Sequence, residues 1–218
     1  MEHIRNIVRE VLDFLFPPNK REKRVQKITL DNLSQKTAYR EVDKLSGIYA
    51  LLHYKDTLVR DLIWTLKYRG SIHSAKLLAG VLYGVLLEDT SDSILFEASP
   101  HPTVIPLPLA GKRERERGFN QIVLVTDELN KLDENNSFNI QTNILVRTKD
   151  TPSQTSLSKE ERRENVKGVF TVSNPGRIKE KHIILLDDVI TTGSTVKEAR
   201  RILLDAGAKE VTAIAIAH

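Results

Sequence analysis

Between His182 and Ala206 the chain reads HIILLDDVITTGSTVKEARRILLDA, and few architectures can house residues in that order. The run 183–186 is continuously apolar, the pattern of a parallel strand buried on both faces. It ends on two acids, Asp187 and Asp188. A small hydroxyl-rich turn follows, Thr191-Thr192-Gly193-Ser194-Thr195, and then an amphipathic helix. Unpaired N–H groups and the positive end of the dipole make such a helix start an anion site. Acids one step before it would repel a phosphate; they suit vicinal hydroxyls, or a Mg²⁺ reached directly or through water. A ribose 5-phosphate, with a phosphate at one end and a diol at the other, meets both demands. An ordinary strand–turn–helix with an Asp/Thr cap has the same outline. Two adjacent acids closing a buried strand are nevertheless costly unless a ligand or metal compensates them.

IILLDDVITTGST resembles, without a gap, the signature of type I phosphoribosyltransferases. The resemblance implies binding of 5-phosphoribosyl-1-pyrophosphate (PRPP) with Mg²⁺. Asp187 and Asp188 would lie at the ribose as the catalytic pair, and Thr191, Thr192, Gly193, Ser194 and Thr195 would hold the 5′-phosphate. It implies no metal site made by the protein alone: Mg²⁺ would come with PRPP and reach the acids, if at all, through water.

The rest of the chain narrows the class. With 218 residues and 40% hydrophobic content it can bury one good core and a small appendage. A formal net charge of +4 permits anionic ligands or nucleic acid without demanding them. There is no cysteine, which excludes disulfides and thiolate metal sites. The six histidines show no ligand spacing and read as ordinary polar or surface residues. The longest apolar stretch, 77–87, is too short to span a bilayer and is interrupted by Gly80, Tyr83 and Gly84. With no signal-peptide pattern at the N-terminus, the expectation is a cytoplasmic protein without membrane insertion.

In chain order, residues 3–16 carry one apolar helical face, stopped by Pro17 and Pro18. Residues 19–36 are rich in Lys and Arg with little periodicity and read as a solvated arm or small irregular subdomain, with a phosphate-contacting arm as the sharper alternative. GIYALLHY (47–54) reads as a strand, and 57–68 as a helix burying Leu58, Leu62, Ile63 and Leu66 and ending at Gly70. A second helix is expected over about 74–87. Trp64 reads as core, and Lys67 as a cap on its own helix's carbonyls. TVIPL (103–107) is expected to be the first strand of the main sheet. Two readings stand for Lys112 to Gly118: a solvated loop of self-neutralising charges, or a clamp in which Arg113 and Arg117 grip a pyrophosphate. NILVR (143–147) reads as the next strand, followed by a polar loop and a short helix over 160–165 that carries Arg162 and Asn165. EVTAIAIA (210–217) is expected to close the sheet. The order from Thr103 onward, β-α-β-loop-β-α-β, gives an α/β fold: a parallel open sheet flanked by helices.

LIWTLKYRG, VIPLPLAGKRERERGFNQ and LVRTKDTPSQTSLSKEERRENVKGVF, together with the acid–turn stretch, resemble the ComF (ComFC-type) competence family from about Tyr49 onward. LDFLFPP near the N-terminus fits it too. There the family continues into paired cysteines of a zinc-binding element, whereas this chain has Asn19-Lys20-Arg21 and no zinc ligand. The resemblance implies residues 1–45 as an N-terminal helix and cysteine-free remnant of that element, and 46–218 as the phosphoribosyltransferase domain. It also implies a link to uptake of single-stranded DNA in natural transformation, beside a helicase-like partner. In phosphoribosyl transfer, carboxylates at the ribose stabilise cationic character at the sugar. Arg113 and Arg117 would hold the departing pyrophosphate, and Arg162 and Asn165 would close over the site from a mobile loop. A binding module for PRPP or single-stranded DNA without catalysis is the alternative. No residue stands out as a general base for the acceptor.

Overall fold

The computed structural model describes residues 19–37, 40–43, 47–92, 101–149 and 166–218. The helix expected over 3–16 and the segment carrying Arg162 and Asn165 lie outside the described residues.

Two short helices come first, α1 (Lys20–Val25) and α2 (Leu30–Ser34). Each starts in a reciprocal cap, Asn19 with Glu22 and Thr29 with Asn32, which satisfies N–H groups that have no partner inside the helix. The segment is therefore not the irregular arm its composition suggests. Val25, Ile28 and Leu33 are buried in the main core, Lys20, Lys23 and Lys27 are exposed, and Arg21 and Arg24 turn towards Asp61.

Strands β1 (Arg40–Asp43) and β2 (Ile48–Leu52) precede α3 (Thr57–Arg69) and α4 (Ile72–Asp92). Asp56 caps α3, and Gly70 stops it at a φ of +57°, which costs a glycine little. Strand β3 (Thr103–Pro106) leads to α5 (Gly111–Arg117) and α6 (Gln121–Leu132). Then come β4 (Asn139–Ile140), β5 (Leu145–Arg147), β6 (Phe170–Val172), β7 (His182–Val189), α7 (Ser194–Asp205) and β8 (Glu210–Ala217).

The main sheet runs β1-β2-β8-β7-β3-β4, with β1 antiparallel and every other neighbouring pair parallel. Its two central strands are the apolar runs 182–189 and 210–217, buried on both faces as a continuous pattern requires. Ile184, Leu186, Ile214 and Ile216 face one core, shared with α3, α4 and α6. Ile183, Leu185, Val211 and Ala213 face the other, covered by Val196, Ala199 and Leu203 of α7.

Five expectations need correction. TVIPL does not open the sheet, because β2 is already paired with β8; for the same reason EVTAIAIA lies inside the sheet and does not close it. NILVR leaves the sheet and pairs β5 with β6 in a separate antiparallel ladder; the main-sheet neighbour of β3 is the two-residue β4, too short to leave a periodic signal. Residues 111–117 form a helix, since Lys, Arg and Glu are good helix formers and Gly118, at φ +79°, supplies the left-handed stop. Trp64 is only half-buried, with the Arg21 guanidinium 4.7 Å from its ring centroid.

Candidate functional site

The registry of the sheet builds the site. Pro106 is level with Leu186, and the Leu107 N–H donates to the Leu186 carbonyl at 2.8 Å. The carboxyl ends of β3 and β7 are therefore flush, and both chains turn out over the same edge, where open α/β sheets bind ligands. A cleft of about 220 Å³ opens there between the turn after β3, the start of α5 and the turn between β7 and α7. Asp187, Asp188, Thr191, Thr192, Gly193, Ser194 and Thr195 all line it, as do Arg113 and Arg117.

The turn begins α7 at Gly193, whose φ of +70° lies in the left-handed region and which has no side chain to cap the helix. Ser194 is buried and its hydroxyl lies 3.0 Å from that of Thr192. No acid stands in the first turn of α7, so the local field is that of the helix's positive end. Opposite, Arg113 is exposed and Arg117 half-buried one helical turn later, on one face of α5.

The two acids differ in their surroundings. Asp187 is half-buried at the strand end, and its carboxylate accepts the N–H of Asp188 at 2.8 Å. Burial, and then the neighbouring Asp188 charge, push its pKa up to about 7 against the pull of that N–H and of Lys67. Asp188 is buried and multiply held: Lys67 Nζ lies 2.9 Å from one oxygen, and the Gln121 side-chain amide donates to the other. Gln121 in turn accepts from Arg117 at 2.8 Å, and the Arg117 guanidinium stands 5.3 Å from the Tyr68 ring centroid.

These contacts explain the two sequence segments LIWTLKYRG and RGFNQ together. Lys67 reaches Asp188, Tyr68 lies under Arg117, and the Phe119 ring lies close against Gly70. Asn120 caps α6 through the Ile122 N–H and donates to the Leu107 carbonyl, while Gln121 completes the hold on Asp188. Lys67 is thus not a cap on α3. Gln121 and Arg147, which also line the cleft, were not singled out; nothing in their spacing distinguishes them from surface residues.

Among the described residues no group of three His, Cys, Asp or Glu side chains is arranged to hold a metal ion. His182 is a core residue, its Nε2 2.9 Å from the Thr212 hydroxyl, with its pKa lowered chiefly by burial. No described helix is long and apolar enough to cross a membrane.

A parallel sheet with an acid pair at one strand end and a glycine turn opening the next helix defines a phosphoribosyltransferase-type domain. A family model described as a phosphoribosyl transferase domain matches residues 120–218. Competence protein F of Haemophilus influenzae is 36% identical over 109 residues, 50% of this chain and 46% of its own length. The DNA utilization protein YhgH of Salmonella typhi is 33% identical over 135 residues, 62% of this chain and 57% of its own. Competence protein ComFC of Bacillus subtilis is 33% identical over 107 residues, 49% and 40% of the two chains. Over about half of its length the chain is thus similar to ComF-type competence proteins, and its C-terminal part matches a phosphoribosyl transferase domain. Its matches span about half the length of these curated relatives. Among solved structures, a hypoxanthine phosphoribosyltransferase from Staphylococcus aureus aligns with 66% of this chain and 63% of its own, at 12% identity and a TM-score of 0.37, a likeness too slight to build on.

Proposed function

We propose that this chain binds PRPP together with Mg²⁺ and transfers its phosphoribosyl group, in a role connected with handling DNA taken up by the cell. The observation that carries the reading is Asp188, a buried carboxylate with both oxygens held, between a glycine helix start on one side and Arg113 and Arg117 on the other. In this reading the turn from Thr191 to Thr195 takes the 5′-phosphate, and the acids take the ribose hydroxyls. The bond from C1 to the pyrophosphate oxygen breaks, the pyrophosphate leaves with the electron pair, and the acceptor's nucleophile bonds to C1. Carboxylates beside the sugar stabilise the positive charge that develops there. Arg113 and Arg117 hold the departing anion, and binding of the 5′-phosphate orients C1.

The donor set suits a Mg²⁺ that arrives with its substrate. The acid pair offers hard carboxylate oxygens, Asp188 is already held by Lys67, and the remaining ligands would come from pyrophosphate, ribose and water. When bound, the ion would neutralise charge on the leaving group. Calorimetric titration of PRPP with Mg²⁺ into the wild type and an Asp187→Asn/Asp188→Asn double variant tests the reading. Binding that collapses in the variant supports it; an absence of heat from the wild type, with no ligand-induced rise in melting temperature, sinks it.

A second reading, a binding module for single-stranded DNA, is favoured by a groove of about 380 Å³ beside the cleft. Arg60 lines it with Tyr54, Trp64 and Tyr68, the last 58% exposed, beside Arg21 and Arg24, which pair with Asp61, and Lys67, which pairs with Asp188. Cations that track a backbone and rings that stack on bases are the usual makings of such a surface. Binding of a short oligonucleotide that weakens steeply with salt would support it, and no binding at low salt would end it.

A further inference from the structure

Helix α3 and the start of α6 meet on one carboxylate. Lys67, from the last turn of α3, and Gln121, from the first turn of α6, hold the two oxygens of Asp188 separately. The side chain of Asp188 is 8% exposed and that of Lys67 21%, so the ion pair is largely out of water. Such a pair is little screened and fixes the carboxylate in one orientation. Each oxygen keeps a further lone pair for a ligand hydroxyl.

The turn that carries Lys67 is itself held from two sides. From α1, Arg21 stacks 4.7 Å from the Trp64 ring centroid and Glu22 pairs with Arg69 at 2.8 Å. From α5, Arg117 stands over Tyr68 while also donating to Gln121. The contacts therefore close a ring, from Lys67 through Asp188 and Gln121 to Arg117 and back to Tyr68 beside Lys67.

We propose that Lys67 is a positioning residue for Asp188, supplying from α3 the positive charge that keeps the acid pair assembled, so that the sugar-phosphate half of the ligand binds without a divalent cation. This rests on the reading of the cleft as a PRPP site. An ammonium on one carboxylate neutralises that carboxylate alone and cannot bridge ribose to pyrophosphate. The divalent cation is then needed for the pyrophosphate half and dispensable for the other.

The test is calorimetric titration of ribose 5-phosphate, and separately of pyrophosphate, into the full chain, in EDTA and in Mg²⁺. The proteins are wild type, Lys67→Met, Lys67→Arg, Asp188→Asn and the Lys67→Met/Asp188→Asn double variant. Wild type is expected to bind ribose 5-phosphate with affinities within about threefold of each other in the two buffers, and Lys67→Met to lose about tenfold. Lys67→Arg should recover most of that loss. In the Asp188→Asn background Lys67→Met should add less than about twofold, since the partner is already gone. Pyrophosphate binding in Mg²⁺ should fall by a smaller factor than ribose 5-phosphate binding in Lys67→Met. Lys67→Gln, of similar length but uncharged, replaces Lys67→Met if the latter melts early. Unaltered ribose 5-phosphate binding in Lys67→Met, an equal loss in the Asp188→Asn background, or a strict Mg²⁺ requirement in wild type would overturn the proposal while PRPP binding stood. A wild type that binds neither probe nor PRPP removes the reading beneath it, and the proposal with it.

Discussion

At Asp187 a half-buried carboxylate beside another carboxylate has a consequence for stability. Its pKa, raised to about 7 chiefly by burial, means that the folded protein keeps a proton which the unfolded chain releases above the ordinary carboxylate range. Stability contributed at this position is thus greatest at acid pH and falls as pH rises towards 7. Asp187→Asn cannot ionise and still offers an oxygen to the Asp188 N–H. It should melt higher than wild type at pH 8 and close to it at pH 5, by calorimetry at both values; equal shifts at the two would refute the account. Gly193 makes a second test. A methyl there would meet Ile48 at 3.6 Å, an ordinary contact, so the difficulty is the φ of +70° and not space. Gly193→Ala should cost about 1–2 kcal/mol in urea unfolding, from the left-handed backbone alone. At this scale the acids and the glycine turn were legible because they interrupt an apolar run. Lys67 and Gln121 were not, because their partner, Asp188, stands over sixty residues away in the chain.

Among the elements, α1 and α2 depart furthest from what the sequence suggests, and the reason is visible in Asp61. That aspartate sits on α3 at 2% exposure, with Arg21 and Arg24 each 2.6 Å from a carboxylate oxygen. The basic cluster read as a solvated arm is therefore the counter-charge for a buried acid, and the apolar residues between, Val25, Ile28 and Leu33, are too few to show a period. No thiolate is involved. Treatment with EDTA should leave the melting temperature within about 1 °C, since among the described residues no cluster of His, Asp or Glu is arranged to hold a metal ion here. Arg21→Met/Arg24→Met should cost about 3–5 kcal/mol, because it strands Asp61 without compensation. Asp61→Asn should cost less, as the guanidinium groups it releases are half-exposed and return to water. Urea unfolding of the two variants decides the order; a larger loss in Asp61→Asn would mean that the arginines serve α1 in some other way. Strands β7 and β8 lie at the opposite extreme. Their apolar runs are long enough to be read as buried strands, and only their order in the sheet, set by the pairing of β2 with β8, was hidden.

For the whole molecule, the family match and the folding unit do not coincide. Residues 120–218 carry the match, yet Ile184, Leu186, Ile214 and Ile216 of the central strands pack in a core completed by Leu62 and Leu66 of α3 and Leu78 and Leu82 of α4. One edge of β8 is likewise closed by β2, from the first quarter of the chain. Cut at residue 101, the C-terminal piece keeps α7 over one sheet face, but loses most of the cover on the other and leaves β8 as an open apolar edge. Bare apolar faces and unpaired edges associate with each other rather than remain in water. The fragment 101–218 should therefore lack a cooperative thermal transition, bind a hydrophobic dye and elute as aggregate, whereas the intact chain elutes as a discrete species and melts cooperatively. Co-expression with 19–100 should restore a soluble complex, because the missing strand and helices are the groups the sheet lacks. A fragment that is soluble and melts cooperatively by itself would show that α6 and α7 suffice to cover the sheet. The acid pair and its helix turn would then be a self-standing unit to which Lys67 is an addition, with Asp188, Gln121 and Arg117 held inside the minimal fold and only Lys67 outside it.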